Sequence, residues 1–173
     1  MMRSGSLTAR VEMKARIAST APSAEQQLAA FVSKFNPTDQ RLIRAIRRSL
    51  RKRFPTANEL VYDNYNFFVI GYSPTERPSD AIVSMAARAN GVGLCFIQGA
   101  TLPDPKNVLL GSGNQTRFIR LDSPAVLQRP EVKALFAAAV AQARAPLPSG
   151  GKGKLIIRSV SAKQRPRRRS SGA

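Results

Sequence analysis

Apolar positions change period twice along the chain. From Ser23 onward, Leu28, Phe31, Val32 and Phe35 recur at i, i+3, i+4 and i+7, the spacing of one helix face, and Ser23 with Gln26 has the separation of a capping box. Asn36-Pro37 opens a second helical stretch with an N-cap residue, a proline at the first helical position and Asp39 at the positive helix start. Its apolar stripe is Leu42, Ile43, Ile46 and Leu50, and Phe54-Pro55 stops it. A third helix is predicted from Pro130-Glu131 to before Pro146, with Val132, Leu135, Phe136, Ala139, Val140 and Ala143 on one side. Each of the three is amphipathic and has to pack on something.

Between the second and third helices the period shortens to that of strands. The candidates are Leu60–Asp63, Asn66–Tyr72, Ala81–Ala87, Val92–Ile97 and Arg117–Leu121. Turn residues separate them at Ser73-Pro74 through Pro78-Ser79, Asn90-Gly91, Leu102–Pro105 and Gly111–Asn114. Such short separations favour antiparallel pairing, because parallel crossovers need a dozen or more residues. The order helix-helix-strands-helix predicts an α+β fold: an antiparallel sheet of about five strands with the helices packed on one face. Residues 1–22 read as a flexible basic leader, with a transit peptide as the less favoured reading, and 23–146 as the folded domain. Residues 147–173 read as a Gly/Pro linker, a candidate short strand at 155–160, and a basic tail expected to be disordered from Lys163 onward. A free sheet edge beside Leu155–Val160 makes a dimer reasonable.

Composition narrows the chemistry. The 173 residues include 43% hydrophobic ones, enough for a core, but no apolar run approaches the roughly 18 residues of a membrane span. There is no His, which removes Ser-His-Asp and Cys-His catalysis and the common His-containing zinc sites. One Cys excludes Cys-rich metal sites and internal disulfides and points to an intracellular, cytoplasmic protein. No cofactor is implied, and the few carboxylates are too scattered to predict a metal site, although Asp63, Asp80, Asp104 and Asp122 are the ones to watch.

The net charge of +18 is uneven. Residues 1–22 hold four cations against Glu12, a net +3, and residues 151–173 hold eight cations and no acid. The middle keeps +7. Two segments therefore become polyanion-binding candidates. One is the tail, with Lys163, Arg165, Arg167, Arg168 and Arg169, where clustered cations gain affinity for phosphates by releasing counterions. The other is the second helix, where Arg41, Arg44, Arg47, Arg48, Arg51 and Lys52 share an arc opposite the apolar stripe. Each also has a plainer reading, as a solubilising tail and as an ordinary solvated helix face. Aromatics serve such a surface only if exposed, and Phe67 and Phe68 point to opposite faces of a strand.

Tyr62, Asn64 and Tyr65 crowd polar and aromatic groups at a strand-to-strand connection, and Tyr72, Gln98 and Arg117 join them as ligand-pocket candidates if the sheet curls. The turn-forming habit of Asp and Asn explains the same connection without a ligand. Gly111-Ser-Gly-Asn-Gln115 lacks the Lys-Ser/Thr ending of a phosphate loop and leads into a strand, so it reads as a turn. Cys95 reads as a small buried hydrophobe with nothing to activate it. Lys, Tyr and Asp are able to do acid-base work, but no nucleophile-base pair stands out, so no catalytic residue is named.

Glu59-Leu-Val-Tyr-Asp-Asn-Tyr-Asn66, Val69-Ile-Gly-Tyr72, Gly99-Ala-Thr-Leu-Pro-Asp-Pro105, Leu110-Gly-Ser-Gly113 with Arg117-Phe-Ile-Arg-Leu121, and Lys154 through Pro166 form an ordered set of motifs. Together they resemble the YdhG-like domain family, a family of unknown function, over most of residues 25–166. The resemblance implies a compact α+β domain with an antiparallel sheet. It implies little chemistry, although one branch is described as a frataxin-like iron handler. Much of that family has Tyr-Gly-Met-Pro at the first strands, whereas here Tyr62 is followed by Asp63-Asn64-Tyr65, which sets this chain in a side branch. Two expectations follow: a non-enzymatic domain that binds polyanions such as nucleic acid without sequence preference, or a small-ligand or iron carrier using the region of residues 62–66.

Overall fold

A computed structural model describes residues 21–170. Helix α1 spans Ala24–Ser33, α2 Pro37–Arg53 and α3 Pro130–Ala141. The start signals act as their chemistry requires. Ser23 Oγ accepts from the Gln26 amide at 3.2 Å while the Gln26 side chain accepts from the Ser23 amide at 2.8 Å, closing the capping box. Asn36 caps α2 by accepting from the Asp39 amide at 2.8 Å.

The strands are β1 Asn58–Asp63, β2 Phe68–Ser73, β3 Val83–Arg88, β4 Gly91–Phe96, β5 Arg117–Leu121 and β6 Leu155–Val160. Their order in the sheet is β5-β4-β3-β2-β1-β6. The fold is α+β, with two N-terminal helices, a mostly antiparallel sheet and one later helix. The sheet has six strands rather than five: β6 pairs parallel with β1, with a register shift between Val61 and Tyr62. The chain between β5 and β6 carries α3 and is long enough for the crossover that a parallel partner needs. On its way back it passes close to the β1 entry. Gly153 donates to Pro55 O at 3.0 Å, and a Cβ there would collide with the Ala57 carbonyl. The folded body therefore does not end at residue 146.

All three helices lie on one face of the sheet. Phe31 and Phe35, at and just beyond α1, pack on Phe68 of β2, and Phe136 of α3 meets Phe96 of β4 at 5.6 Å between ring centres. Ile43, Ile46 and Leu50 of α2 are fully buried between them. Side chains alternate along a strand, so Phe68, Ile70 and Tyr72 face the helices while Val69 and Gly71 face away, and Phe67, just before the strand, lines a groove with Ala86 and Gly93 of that second face. Among the described residues no helix covers that second face. No described helix is long and apolar enough to cross a membrane.

Candidate functional site

The arginines of α2 divide into two kinds. Arg41, Arg44, Arg48 and Lys52 are exposed along the outer side. Arg47 is not: it stands one turn from both Ile43 and Leu50, at the border of the apolar stripe, and turns inward. Its Nε and NH2 donate to the two Glu59 carboxylate oxygens at 2.8 and 2.7 Å, and NH1 and NH2 donate to Glu25 at 2.8 and 2.7 Å. Tyr72 Oη completes the cluster by donating to Glu59 at 3.2 Å. One guanidinium thus ties α1, α2 and β1 together with a doubly bidentate fork. Burial works against the charge, but the bonds to Glu59 and then Glu25 outweigh it and hold the Arg47 pKa above its ordinary value. The bond from Arg47 lowers the Glu25 pKa in turn, and burial first, then the Glu59 charge, raises that of Tyr72. Arg51 leans on the same two acids at 3.5 and 3.7 Å, so it is not the free cation that its sequence position predicts.

The tail departs further from expectation. Disorder is expected from Lys163 onward, but Gln164, Arg165, Arg167 and Arg168 dock on the domain; residues 171–173, like residues 1–20 of the leader, lie outside the described residues. The physical reason is Asp63, whose side chain is 0% exposed on the helix-facing side of β1 and has to be paired. Lys34 Nζ reaches it at 2.5 Å and Arg167 NH2 at 2.9 Å. Gln164 donates to Asp63 O at 2.7 Å, and the Arg165 amide donates to Tyr65 O at 2.9 Å. Arg167 is consequently buried and unavailable to a polyanion, with its Nε and NH1 lacking a partner. Arg168 donates to the Ser33 and Lys34 carbonyls, the unpaired end of α1, where a cation also suits the helix dipole. Arg165 lies over the Tyr65 ring at 5.6 Å, while Lys163 and Arg169 remain exposed.

Docking the tail joins the two basic segments. Ser33 O accepts from Arg168 NH2 at 3.4 Å and from Gln40 Nε2 at 3.2 Å, and Gln40 Oε1 accepts from Arg44 NH2 at 3.1 Å. Arg168 and Arg44, 124 residues apart in the sequence, are thereby linked through two shared polar groups, and Arg44 stands with the exposed Arg41, Arg48 and Lys52 on one side of α2, so the docked tail and the helix form one basic band.

The ligand-pocket candidates are not brought together. Tyr72 lies in the core under α2, its hydroxyl bonded to Glu59. Gln98 and Arg117 belong to the β4–β5 end of the sheet, about 19 Å across the strands from β1. There Gln98 O accepts from Gln142, and Arg117 donates to Gly113 O and Thr116 O. Near β1, Asn64 is held by Ser159 at 2.7 Å, Tyr62 Oη is buried without a partner, and Tyr65 is exposed.

Among the described residues no three His, Cys, Asp or Glu side chains stand close enough to hold a metal ion. Asp63 is neutralised by cations, Asp80 accepts from Thr75, and Asp104 accepts from the Val108 and Leu109 amides. Cys95 is half-buried on the uncovered face rather than in the helix-facing core, and burial chiefly raises its pKa. Sequence reasoning missed Glu25 and Glu59 as partners of Arg47; the clue was the border position of residue 47 on the helical wheel. Comparison of the chain with protein-family models, curated proteins and solved structures finds no match.

Proposed function

We propose that this chain is a non-enzymatic, cytoplasmic, YdhG-like domain protein that binds polyanions, nucleic acid foremost, through the basic band of α2 and the docked tail. The observation that carries the reading is the fusion of the two basic segments through Ser33 O and Gln40. A band of cations on a rigid helix and a packed strap is pre-organised, so less side-chain and chain entropy is lost on binding than with a loose tail. Exposed guanidinium groups release counterions on meeting phosphates and read no bases, so the binding is independent of sequence. The rival reading, a small-ligand or iron carrier near residues 62–66, has less to rest on: Asp63 is already paired with two cations, and Tyr72, Gln98 and Arg117 lie elsewhere.

Fluorescence anisotropy of a labelled DNA duplex with the full chain tests it. If about four cations engage phosphates, affinity falls roughly 100-fold between about 50 and 200 mM salt. The triple variant Arg41→Ala, Arg44→Ala, Arg48→Ala flattens the slope by close to three contacts, whereas Arg77→Ala, on the β2–β3 connection, leaves it unchanged. Salt-independent affinity, or equal effects of the two variants, overturns the reading.

A further inference from the structure

The uncovered face of the sheet has a regular layout. The pairings place its outward residues in three rows: Arg88 and Gly91 in the first, Val69, Ala86, Gly93 and Arg120 in the second, and Gly71, Ser84, Cys95 and Phe118 in the third; Phe67, just before β2, and Asp122, just after β5, line the same groove beside the first row. The middle strands carry only small side chains there apart from Arg88. The result is a trough whose floor is Ala86, Gly91, Gly93 and Cys95, bounded by Phe67 on one side and Phe118 on the other. Both rings are exposed, and Arg88 lies over Phe67 at 5.4 Å. The groove encloses about 560 Å³ and continues past the β3–β4 hairpin to Thr38, Asp39 and Leu42 at the start of α2. That volume is in the range of ligand sites.

We propose that this trough is a stacking platform for unpaired bases, so that the protein prefers single-stranded nucleic acid to duplex; the inference rests on the polyanion reading and names its substrate. Three observations choose this occupant. Exposed aromatic rings above a floor of glycine and alanine leave room for a flat base to lie on the ring, and stacking accepts any base. Arg120 stands two residues along β5 from Phe118, and Arg88 lies against Phe67, so each ring has a cation next to it for the sugar-phosphate chain of a stacked strand. Of the two acids in the groove, Asp39 is engaged by the Asn36 amide at 2.6 Å, leaving Asp122 at one corner. The groove is also continuous with the basic band, because its lining residue Thr38 accepts from Arg41 at 3.3 Å. A strand on the platform therefore leads its phosphates to Arg41, and from there onto the basic side of α2. In a duplex the base faces are already stacked on one another and cannot reach the rings.

The test compares an oligothymidine of about 15 nucleotides with a duplex of equal length, both labelled, on the full chain. Phe118→Ala and Phe67→Ala are expected to weaken single-strand binding roughly tenfold each and to change duplex binding by less than about twofold. Phe118→Leu keeps the apolar bulk and serves as the control for folding; it should lose as much as Phe118→Ala. Arg44→Ala should weaken both ligands alike. If both ligands bind with steep salt dependence and the Phe118 variants leave the single strand unaffected, or if Phe118→Leu binds like the parent, the platform is overturned while the polyanion reading stands. Binding of neither ligand at low salt overturns both. Should Phe118→Ala instead convert a sedimenting dimer to a monomer without touching DNA affinity, the trough is a contact between copies of this chain and the platform is overturned.

Discussion

The two faces of the sheet are made by the same strands, yet they solve opposite problems. The helix-facing side carries Phe68, Ile70, Tyr72, Met85, Leu94 and Phe96, all fully buried, and its charges Glu59 and Asp63 are each matched by cations from the helices and the tail. The opposite side carries Gly71, Ser84, Ala86, Gly91, Gly93 and Cys95 at its centre and leaves Phe67 and Phe118 in contact with water. Alternation along each strand separates these jobs residue by residue. A face that buries large groups gains stability from transfer and close packing, whereas one lined by small groups gives up that gain and keeps a surface.

The largest test of this contrast is a pair of phenylalanines. Phe136→Ala removes the ring that meets Phe96 and Phe54 and should cost about 3 to 5 kcal/mol in urea unfolding, while Phe118→Ala should cost less than about 1 kcal/mol. Similar costs would erase the distinction between the faces.

Two neighbouring arginines of α2 sharpen it next. Arg47→Ala strands Glu59 in the interior and should destabilise the fold by about 3 kcal/mol. Arg48→Ala should stay within about 0.5 kcal/mol and show itself only in the salt slope of DNA binding.

Filling the trough separates fold from function on the open side. Gly93→Val places its Cβ in ordinary contact, 3.5 Å from Ile119 O, so the melting temperature should move only a few degrees while single-strand binding falls. An unchanged affinity would detach the floor from the ligand.

The smallest effect is one of pH. Glu25 has its pKa lowered by the Arg47 bond, so its contribution is fully present above the unfolded carboxyl value of about 4.3 and is lost as pH falls through the lower folded value. The urea midpoint should hold level from neutrality to about pH 5 and then decline, and the Glu25→Gln variant should show a shallower decline.

Much of this architecture is legible in local sequence. Ser23, Gln26, Asn36, Pro37 and Asp39 mark the helix starts through bonds that span three residues, and β5 occupies the predicted Arg117–Leu121. β6 was foreseeable as a strand but not as a parallel partner of β1, since its register depends on where the long return from α3 comes to rest. The tail misled because its composition offers almost nothing apolar to bury. What holds it is an acid about a hundred residues away, and composition is blind to such a partner.

Helices, strands and apolar stripes are written locally, because caps, periods and turn residues act over three or four positions, and the excess of positive charge is a plain sum over residues. Which cations stay free depends instead on how distant segments pack. Arg47 and Arg167 are drawn inward to buried carboxylates, Arg44 and Arg168 are linked through Gln40 and the Ser33 carbonyl, and Phe67 and Phe118 are set on opposite sides of a bare floor. Those outcomes depend on strand register and on pairing across the whole chain, where a buried charge must find its counter-ion wherever the fold places it.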